Sequence, residues 1–434
     1  MESPGVRVQR QHFRVVDLAD DPADQARLPM STAYKYLSTD LITGEVLSDA
    51  IPLTVQSCSM QLNGSGSLSG TLNLQELYPL NGPFVAALEC RRAVLWVLAD
   101  DYPVWNGVVW DWPDMTRAQG NLSISAQTID SVFSHRLITD TLEYAQIDLF
   151  TVFLDLVNYG QTKQSSYIET GVSPPATRPA AYLAYVASNG GIAGLVSPQN
   201  VTAGVPWTAS YTYSDLTQVT DAWSDMCSSG NFEYVFQPGL DENGNLATFV
   251  RLGYQQLGRT LGEAGFSLVY PGNAIDYGYQ RTGSQGANYI WATAPPNGAE
   301  LQWQSQWPHG ADVADLDAGY PLMESTISWD GSYVTSQAQV DSFADGELAI
   351  YTEGMTIPTI NVGGGNYPSV KDIVLGDACD FVATSPLHPP KTSGGTVLPG
   401  LQVPVRITGW TLYPPGPQQS EYIQLQTSSV DVSS

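Results

Sequence analysis

AVLWVLADDYPVWNGVVWDWPDMTRAQGNLSISA, residues 93–126, decides the fold. Two aromatic-rich strands flank an Asp-Asp-Tyr-Pro turn at 100–103, and a third alternating run follows a polar break. Trp and Val side chains at alternate positions would face water in a lone meander, so the block requires sheet neighbours on both sides. It belongs to a barrel or a sandwich.

The segment just upstream is patterned in the same way. Residues 36–74 read YLSTDLITGEVLSDAIPLTVQSCSMQLNGSGSLSGTLNL. Thr43-Gly44 joins two short strands there, and Asn63-Gly64 begins a Ser/Gly-rich crossing expected to be flexible. After Ala126 the character changes. TIDSVFSHRL is followed by Thr141 to Asn158, where Ile147, Phe150, Leu154 and Val157 have helical spacing and Gly160 is placed to end the helix. A second helix runs from Ser214 as cap to Ser229, with Leu216, Val219, Trp223 and Met226 as its buried stripe and Gly230 as its stop. Its stripe is expected to pack on the hairpin that follows, Phe232 to Tyr254, whose turn spans Asp241 to Asn245. Between the helices, Ser165 to Val205 is rich in Pro, Ala, Gly and Ser and reads as loop.

The remainder returns to β structure. FSLVYPGNAIDYGYQRTGSQGANYIWATA, 266–294, gives three strands parted by a Pro271-Gly272-Asn273 turn and a polar loop at Arg281 to Gly286. Ser336 caps a helix carrying Val340, Phe343, Ala344 and Leu348, weakened by Gly346 by about 1 kcal/mol. SVKDIVLGDACDFVA, 369–383, reads as two strands about Gly376-Asp377, and residues 403–428 supply two more. WNGVVWDWP before LSISAQ and RITGWTLYP before YIQLQTS share one plan. In each, a strand containing Gly107 or Gly409 runs through aromatics to Pro113 or Pro414, loops, and returns as an alternating strand.

Composition bounds the function. At 434 residues the chain holds three or four domains. Lys plus Arg number 17 against 43 Asp plus Glu, a net charge of −26, which argues against clamping nucleic acid because phosphate contacts need clustered basic residues. Such a charge reads as an acidic, soluble surface or, more sharply, as a non-sticky negative surface along which a polyanion can slide. The 40 Gly and 29 Pro favour a turn-rich β protein. No apolar run approaches the ~18 residues of a membrane span, and Arg10, Gln11, His12 and Arg14 interrupt the N-terminus, so stable membrane insertion is not expected.

Chemistry-bearing patterns are sparse. Cys58, Cys90, Cys227 and Cys379 lie far apart with no C-x-x-C pair, which reads as buried thiols. His12, His135, His309 and His388 are isolated. There is no G-x-S-x-G elbow, H-E-x-x-H helix or phosphate loop. Asp100 with Asp101, and Asp315 with Asp317, sit in turn-like contexts that favour Asp for local backbone bonding. Asp241 to Asn245 and Asp312 to Asp317 stop short of a calcium-loop pattern. Trp96, Trp105, Trp110 and Trp112 could line a sugar platform, but alternation divides them between a core face and an outer face. The chain is therefore expected to have no catalytic, cofactor-binding or metal residues and no hydrolytic activity.

The order of pieces resembles the minor tail or baseplate hub proteins of siphophages, particularly phages of actinobacteria, related to Tal-like and myophage-type tail hubs. The matching pieces are a Tyr-Leu strand with Asp40 and Thr43-Gly44-Glu45, the LNGSGSLSGTLNL block, WNGVVW leading to LSISA, YPGN, ANYIWATA and an Ala-rich late helix, together covering most of 34–427. The resemblance implies a mainly β fold with an α+β insertion: two tube-like β-barrels plus inserted domains. Its parts would be an N-terminal arm (1–33), a first barrel (34–127), an inserted α+β domain (128–257), a further β-rich hub domain with a late helix (258–367), and strands of a second barrel with a C-terminal tail (368–434). It implies a homotrimeric ring at the virion tail tip, assembled in the host cytoplasm, that joins the tail tube end to tip or fibre proteins and passes genomic DNA without specific binding. The chain stops at SSVDVSS just past its final strand, so no murein-cleaving domain or long fibre is expected. The alternative is a secreted β-rich carbohydrate-binding or carbohydrate-active protein, which the missing signal segment and catalytic constellation disfavour.

Overall fold

The computed structural model describes residues 32–75, 81–113, 120–169, 180–281, 287–294, 303–328, 337–352, 355–393, 396–416 and 420–429. The first part contains β1 (Tyr34–Asp40), β2 (Val46–Ser48), β3 (Leu53–Gln61), β4 (Ser67–Asn73), α1 (Asn81–Ala86), β5 (Ala93–Ala99), β6 (Tyr102–Asp111) and β7 (Asn121–Thr128). A 3-10 helix, Ile129–His135, leads to β8 (Leu142–Asp148), α2 (Leu149–Thr162), α3 (Ala180–Asn189), β9 (Leu195–Val196), β10 (Pro206–Tyr211), α4 (Val219–Gly230), β11 (Phe232–Leu240) and β12 (Leu246–Tyr254). Then come β13 (Leu268–Tyr270), β14 (Ala274–Tyr277), β15 (Gln280–Arg281), β16 (Tyr289–Ala294), β17 (Trp303–Gln304), α5 (Val313–Asp317), β18 (Glu324–Ser328) and α6 (Gln337–Thr352). The last are β19 (Met355–Thr356), β20 (Thr359–Gly363), β21 (Ala378–Ala383), β22 (Lys391–Ser393), β23 (Thr396–Leu398), β24 (Leu401–Tyr413) and β25 (Tyr422–Ser429).

The fold is mainly β with an α+β insertion, as the sequence led us to expect. Asp100 and Asp101 both take positive φ, 46° and 64°, the two-residue hairpin geometry whose twist matches that of the flanking strands. All of Ala93–Ala99 is buried because β5 has a core on each face. Leu95, Val97 and Ala99 join one core with Trp105, while Val94, Trp96 and Leu98 join the other with Val108. The period of two along β5 thus divides one apolar run between two layers.

Among the described residues the strands pair into a thirteen-stranded sheet whose main path is β14-β20-β25-β24-β3-β4-β7-β6-β5-β1-β2, with β13-β21 branching from β24. β24 is the seam. Its first half pairs β21, Ala378↔Arg406 through Ala383↔Leu401, and its second half pairs β3, Gly409↔Gln61 through Leu412↔Cys58. The far end of the sheet curls back, because Ile51 donates its N–H to the Tyr36 carbonyl at 2.7 Å and the Tyr34 hydroxyl donates to Glu421 at 2.9 Å. The plan read twice in the sequence occurs as two antiparallel hairpins, β6–β7 with Gly107↔Thr128 and β24–β25 with Gly409↔Gln426, each carrying a bulge near its glycine. A Cβ on Gly107 would stand 2.2 Å from the Gln127 carbonyl oxygen, so the close approach of β7 requires glycine there.

The insertion packs α2, α4 and the 3-10 helix on β11. Phe133, Phe153, Trp223, Phe232, Tyr234 and Phe236 fill its centre. A small third core of Ala292, Ala294, Val340 and Ala344 lies between β16 and α6, where β16 pairs β17 antiparallel and β18 parallel.

Several local expectations are corrected. Ile147 lies on β8 opposite Trp207, not in a helix. The helix starts one residue after Asp148, whose carboxylate accepts the Phe150 N–H at 3.0 Å and so caps it. α2 then runs through Gly160 to Thr162 and ends at Lys163, φ 55°. Glycine is needed at 160 for packing, since a Cβ there would meet the Phe133 ring at 2.7 Å. Ser214 does not cap the next helix. Leu216 takes φ 50° and stays half exposed, so α4 begins at Val219, while Val219, Trp223 and Met226 are buried as expected. Ser165 to Val205 contains α3 and β9, with 170–179 outside the described residues. SVKDIVL forms turns in place of a strand, because Asp372 accepts from the Ser369 N–H at 2.8 Å and its hydroxyl at 2.6 Å. Asn63-Gly64 begins a hairpin turn tied to the insertion, not a flexible crossing: Asn63 accepts the Tyr234 N–H at 2.8 Å through its side chain and donates to the Tyr234 carbonyl at 3.1 Å. Ser336, residues 282–286 of the polar loop and 1–31 of the arm, His12 included, lie outside the described residues.

Candidate functional site

A dense polar arrangement lies where the insertion meets the strands on either side. Arg406 of β24 is 5% exposed, flanked by buried Val405 and Ile407. Its guanidinium forks onto Glu233 of β11, Nη1 to Oε1 at 2.8 Å and Nη2 to Oε2, while Nε donates to the Gly376 carbonyl at 3.1 Å and Nη2 to that of Leu257 at 3.0 Å. Glu233 in turn accepts the Leu257 N–H at 2.8 Å. Nearby, Arg259 donates its N–H and its Nε to Asp377 at 2.8 and 3.0 Å. Two backbones cross here at contact distance: a Cβ on Gly376, φ 94°, would stand 1.9 Å from the Leu257 oxygen, and one on Gly258, φ 100°, 2.2 Å from the Gly376 carbonyl carbon. Paired charges with satisfied hydrogen bonds lock four chain segments together. With its acceptors occupied, the cluster is a joint and not an acid–base site.

No local pattern in the sequence marks this joint. Its signal was Arg406 within VPVRITGW, one of only 17 basic residues, standing in an otherwise apolar strand.

The residues weighed for chemistry are not brought together. His135 packs against Trp110, ring centroids 4.6 Å apart. His388 Nδ1 lies 3.0 Å from the Tyr277 hydroxyl, and His309 Nδ1 lies 2.8 Å from Asp345. Among the described residues no three His, Cys, Asp or Glu side chains converge as metal ligands. Asp241 Oδ1 accepts the N–H groups of Asn243 and Asn245 at 2.9 and 2.7 Å. Asp312 caps α5 through the Asp315 N–H at 3.0 Å. Asp100 accepts from Lys371 at 2.7 Å and from the Ala33 N–H at 2.9 Å. These carboxylates hold turns, the role that Asp favours locally. Burial pushes the Cys227 and Cys379 thiols up to about 12 and raises Cys58 and Cys90, which disfavours the nucleophilic thiolate in all four.

The four tryptophans turn inward. Trp96 and Trp105 are buried, donating to Thr39 Oγ1 at 2.9 Å and the Ser59 carbonyl at 2.8 Å. Trp110 and Trp112 are half-buried, donating to Ser131 Oγ at 2.8 Å and the Leu88 carbonyl at 3.1 Å. Their indoles build the cores and form no open stacking platform. A cleft opens beside Tyr102, Pro238, Val370, Lys371 and Trp410. Its one charged lining group, Lys371, is bound to Asp100, so the cleft presents no acid–base pair.

The His309 contact gives a titration prediction. The Asp345 carboxylate raises the His309 imidazole above the ordinary histidine value, so the pair's contribution to stability is present below that value and is lost as pH rises through the raised one. NMR titration should find the raised midpoint, and Asp345→Asn should return it toward the ordinary value. An unchanged midpoint in the variant would assign the shift to another cause.

No protein-family profile and no curated protein matches this chain. Solved structures do. The 43 kDa tail protein of prophage MuSo2 from Shewanella oneidensis superposes with a TM-score of 0.51 at 12% identity, covering 92% of this chain and 98% of that one. A tail protein from Neisseria meningitidis gives 0.49 at 12% identity, over 91% and 96% of the two chains. A prophage tail protein from Listeria monocytogenes gives 0.46 at 14%, over 90% and 94%. The likeness to the Shewanella protein runs nearly end to end, so this chain has the fold of that prophage tail protein.

Proposed function

We propose that the chain is a structural component of a phage tail, working as a hub at the tail tip. The observation that carries this reading is the near-complete overlap of its fold with a prophage tail protein, over 92% of this chain. In this reading three copies close into a ring that joins the end of the tail tube to tip or fibre proteins, after assembly in the host cytoplasm. Residues 34–127 supply one tube-like unit and 368–434 strands of the other; 128–257 and 258–367 are inserted, and 1–33 form an arm. The repeated hairpins at Gly107 and Gly409 support two comparable units per copy, and three copies then offer six quasi-equivalent faces to a six-fold tube. The net charge of −26 supports a passage that repels DNA and leaves it free to move, with no enzymatic step.

Mass measurement of the assembled ring and cryo-EM of the tail test the proposal. Three copies around an acidic passage are expected. Six copies, or a monomer apart from the tube axis, would sink the ring, and a basic passage wall would remove the sliding role of the acidic charge.

A further inference from the structure

Five strands of the large sheet contain no Asp, Glu, Lys or Arg: β3 LTVQSCSMQ, β4 SLSGTLN, β7 NLSISAQT, β20 TINVG and β25 YIQLQTSS. β24 has only Arg406, which is buried in the joint. These six strands are neighbours, in the order β20-β25-β24-β3-β4-β7. Alternation turns their apolar side chains into one core and leaves Ser, Thr, Asn and Gln on the opposite face, which includes the Gly409–Tyr413 half of β24. One row crosses that face: Asn361, Gln424, Thr411, Ser59, Ser67 and Gln127, each beside the next. Gln424 Nε2 donates to Asn361 Oδ1 at 3.3 Å, and the hydroxyls of Ser59 and Ser67 lie 3.3 Å apart. Six strands at ~4.8 Å spacing make the face ~24 Å wide. It is continuous across the pairing of β24 with β3, so both repeated units supply it.

Water-facing positions ordinarily carry a chain's charge, and this chain has 43 acidic and 17 basic residues to place. Among the described residues none stands on this face. Its composition also disfavours the usual occupants of an uncharged surface. The centre of a protein interface is rich in aromatics and Met and poor in Ser, the reverse of what is present here. A sugar platform needs open rings, whereas Tyr413 and Tyr422, at one end of the β24–β25 hairpin, stack on each other with centroids 4.4 Å apart. A clamp on phosphates needs Lys or Arg. Hydroxyl and amide groups instead hold water and offer a wall without fixed charge. We infer that this face lines the passage of the ring and that what moves along it is duplex DNA, with water between the polymer and the wall. The inference rests on the ring proposed above. The −26 of each copy sets the sign of the field along the passage, while the wall presents no cation at which a phosphate would stall.

Placement and role are tested separately. Gln127 is exposed, so Gln127→Cys reports where the face lies, against the background of the parent's own thiols. In the assembled ring a small maleimide should label it and a maleimide carried on a globular protein should not, while both should label it in the free chain. Labelling by both in the ring puts the face on the outside, and labelling by neither buries it between subunits; either result overturns the inference and leaves the ring standing. A mass that shows no ring removes the proposed function, and this inference with it. For the role, phage carrying Ser67→Lys with Gln127→Lys should release DNA about tenfold more slowly at low salt and recover at high salt, because added cations bind phosphates by displacing counterions. Ser67→Thr with Gln127→Asn should release DNA like the parent. Release by the lysine pair at the parental rate at every salt concentration overturns the inference. If the lysine pair fails to assemble, the labelling result decides.

Discussion

Trp223→Ala should lower the unfolding free energy by about 3–5 kcal/mol, as large-to-small changes in a closed core do. Trp223 is fully buried on α4, its ring centroid 4.8 Å from Phe133, 4.9 Å from Phe153, 5.6 Å from Tyr234 and 5.7 Å from Phe236. Those partners come from the 3-10 helix, α2 and β11, so removing the indole opens a void where three elements meet. Among the described residues its buried Nε1 has no hydrogen-bond partner, so Trp223→Phe forfeits area without a polar contact and should cost clearly less. Leu216→Ala is the control: half exposed and off the helix, it should fall within about 0.5 kcal/mol of the parent. Urea denaturation measures all three. A loss under about 1 kcal/mol for Trp223→Ala would show that the core around it collapses without strain.

Arg406→Met should cost a comparable amount, about 3–5 kcal/mol, because it strands Glu233 as a largely buried charge without its partner. The side chains of Arg406 and Glu233 are 7% and 15% exposed, so little water reaches either. Glu233→Leu alone should also destabilise, leaving the guanidinium with only the Gly376 and Leu257 carbonyls. The double replacement should recover much of the loss, since an apolar pair of similar volume often matches a buried ion pair. A double-mutant cycle in thermal or urea unfolding tests this directly. Additive single effects would mean that the two side chains do not act as a pair.

The hairpins around Asp100-Asp101 and Asp241–Asn245 were legible because their signals are local, in turn chemistry and strand alternation. The limits of α2 and α4 were not. Ile147 and Leu216 fit a helical period in the sequence, yet Ile147 is claimed by β10 across the sheet and Leu216 by a turn with positive φ. Hydrophobic period counts apolar positions but is blind to which backbone partner a residue finds. Gly160 misled for the same reason, being required by a ring 27 positions earlier in the chain rather than by a helix end. The joint of Glu233, Arg259, Asp377 and Arg406 joins residues up to 173 positions apart, and no local pattern signals such pairing.

By itself the sequence determined the mainly β class, the aromatic meander at 93–126, the two Gly-bearing hairpins and the absence of a local catalytic motif, all properties of period, turn chemistry and composition. Only the tertiary structure decided that β24 pairs β3 and so makes one sheet of strands from opposite ends of the chain. It alone assigned each face of β5 to a separate core and turned four tryptophans inward. The physical reason is that strand pairing and burial are long-range: the free energy of an apolar side chain depends on what covers it, and that cover is drawn from anywhere along the chain.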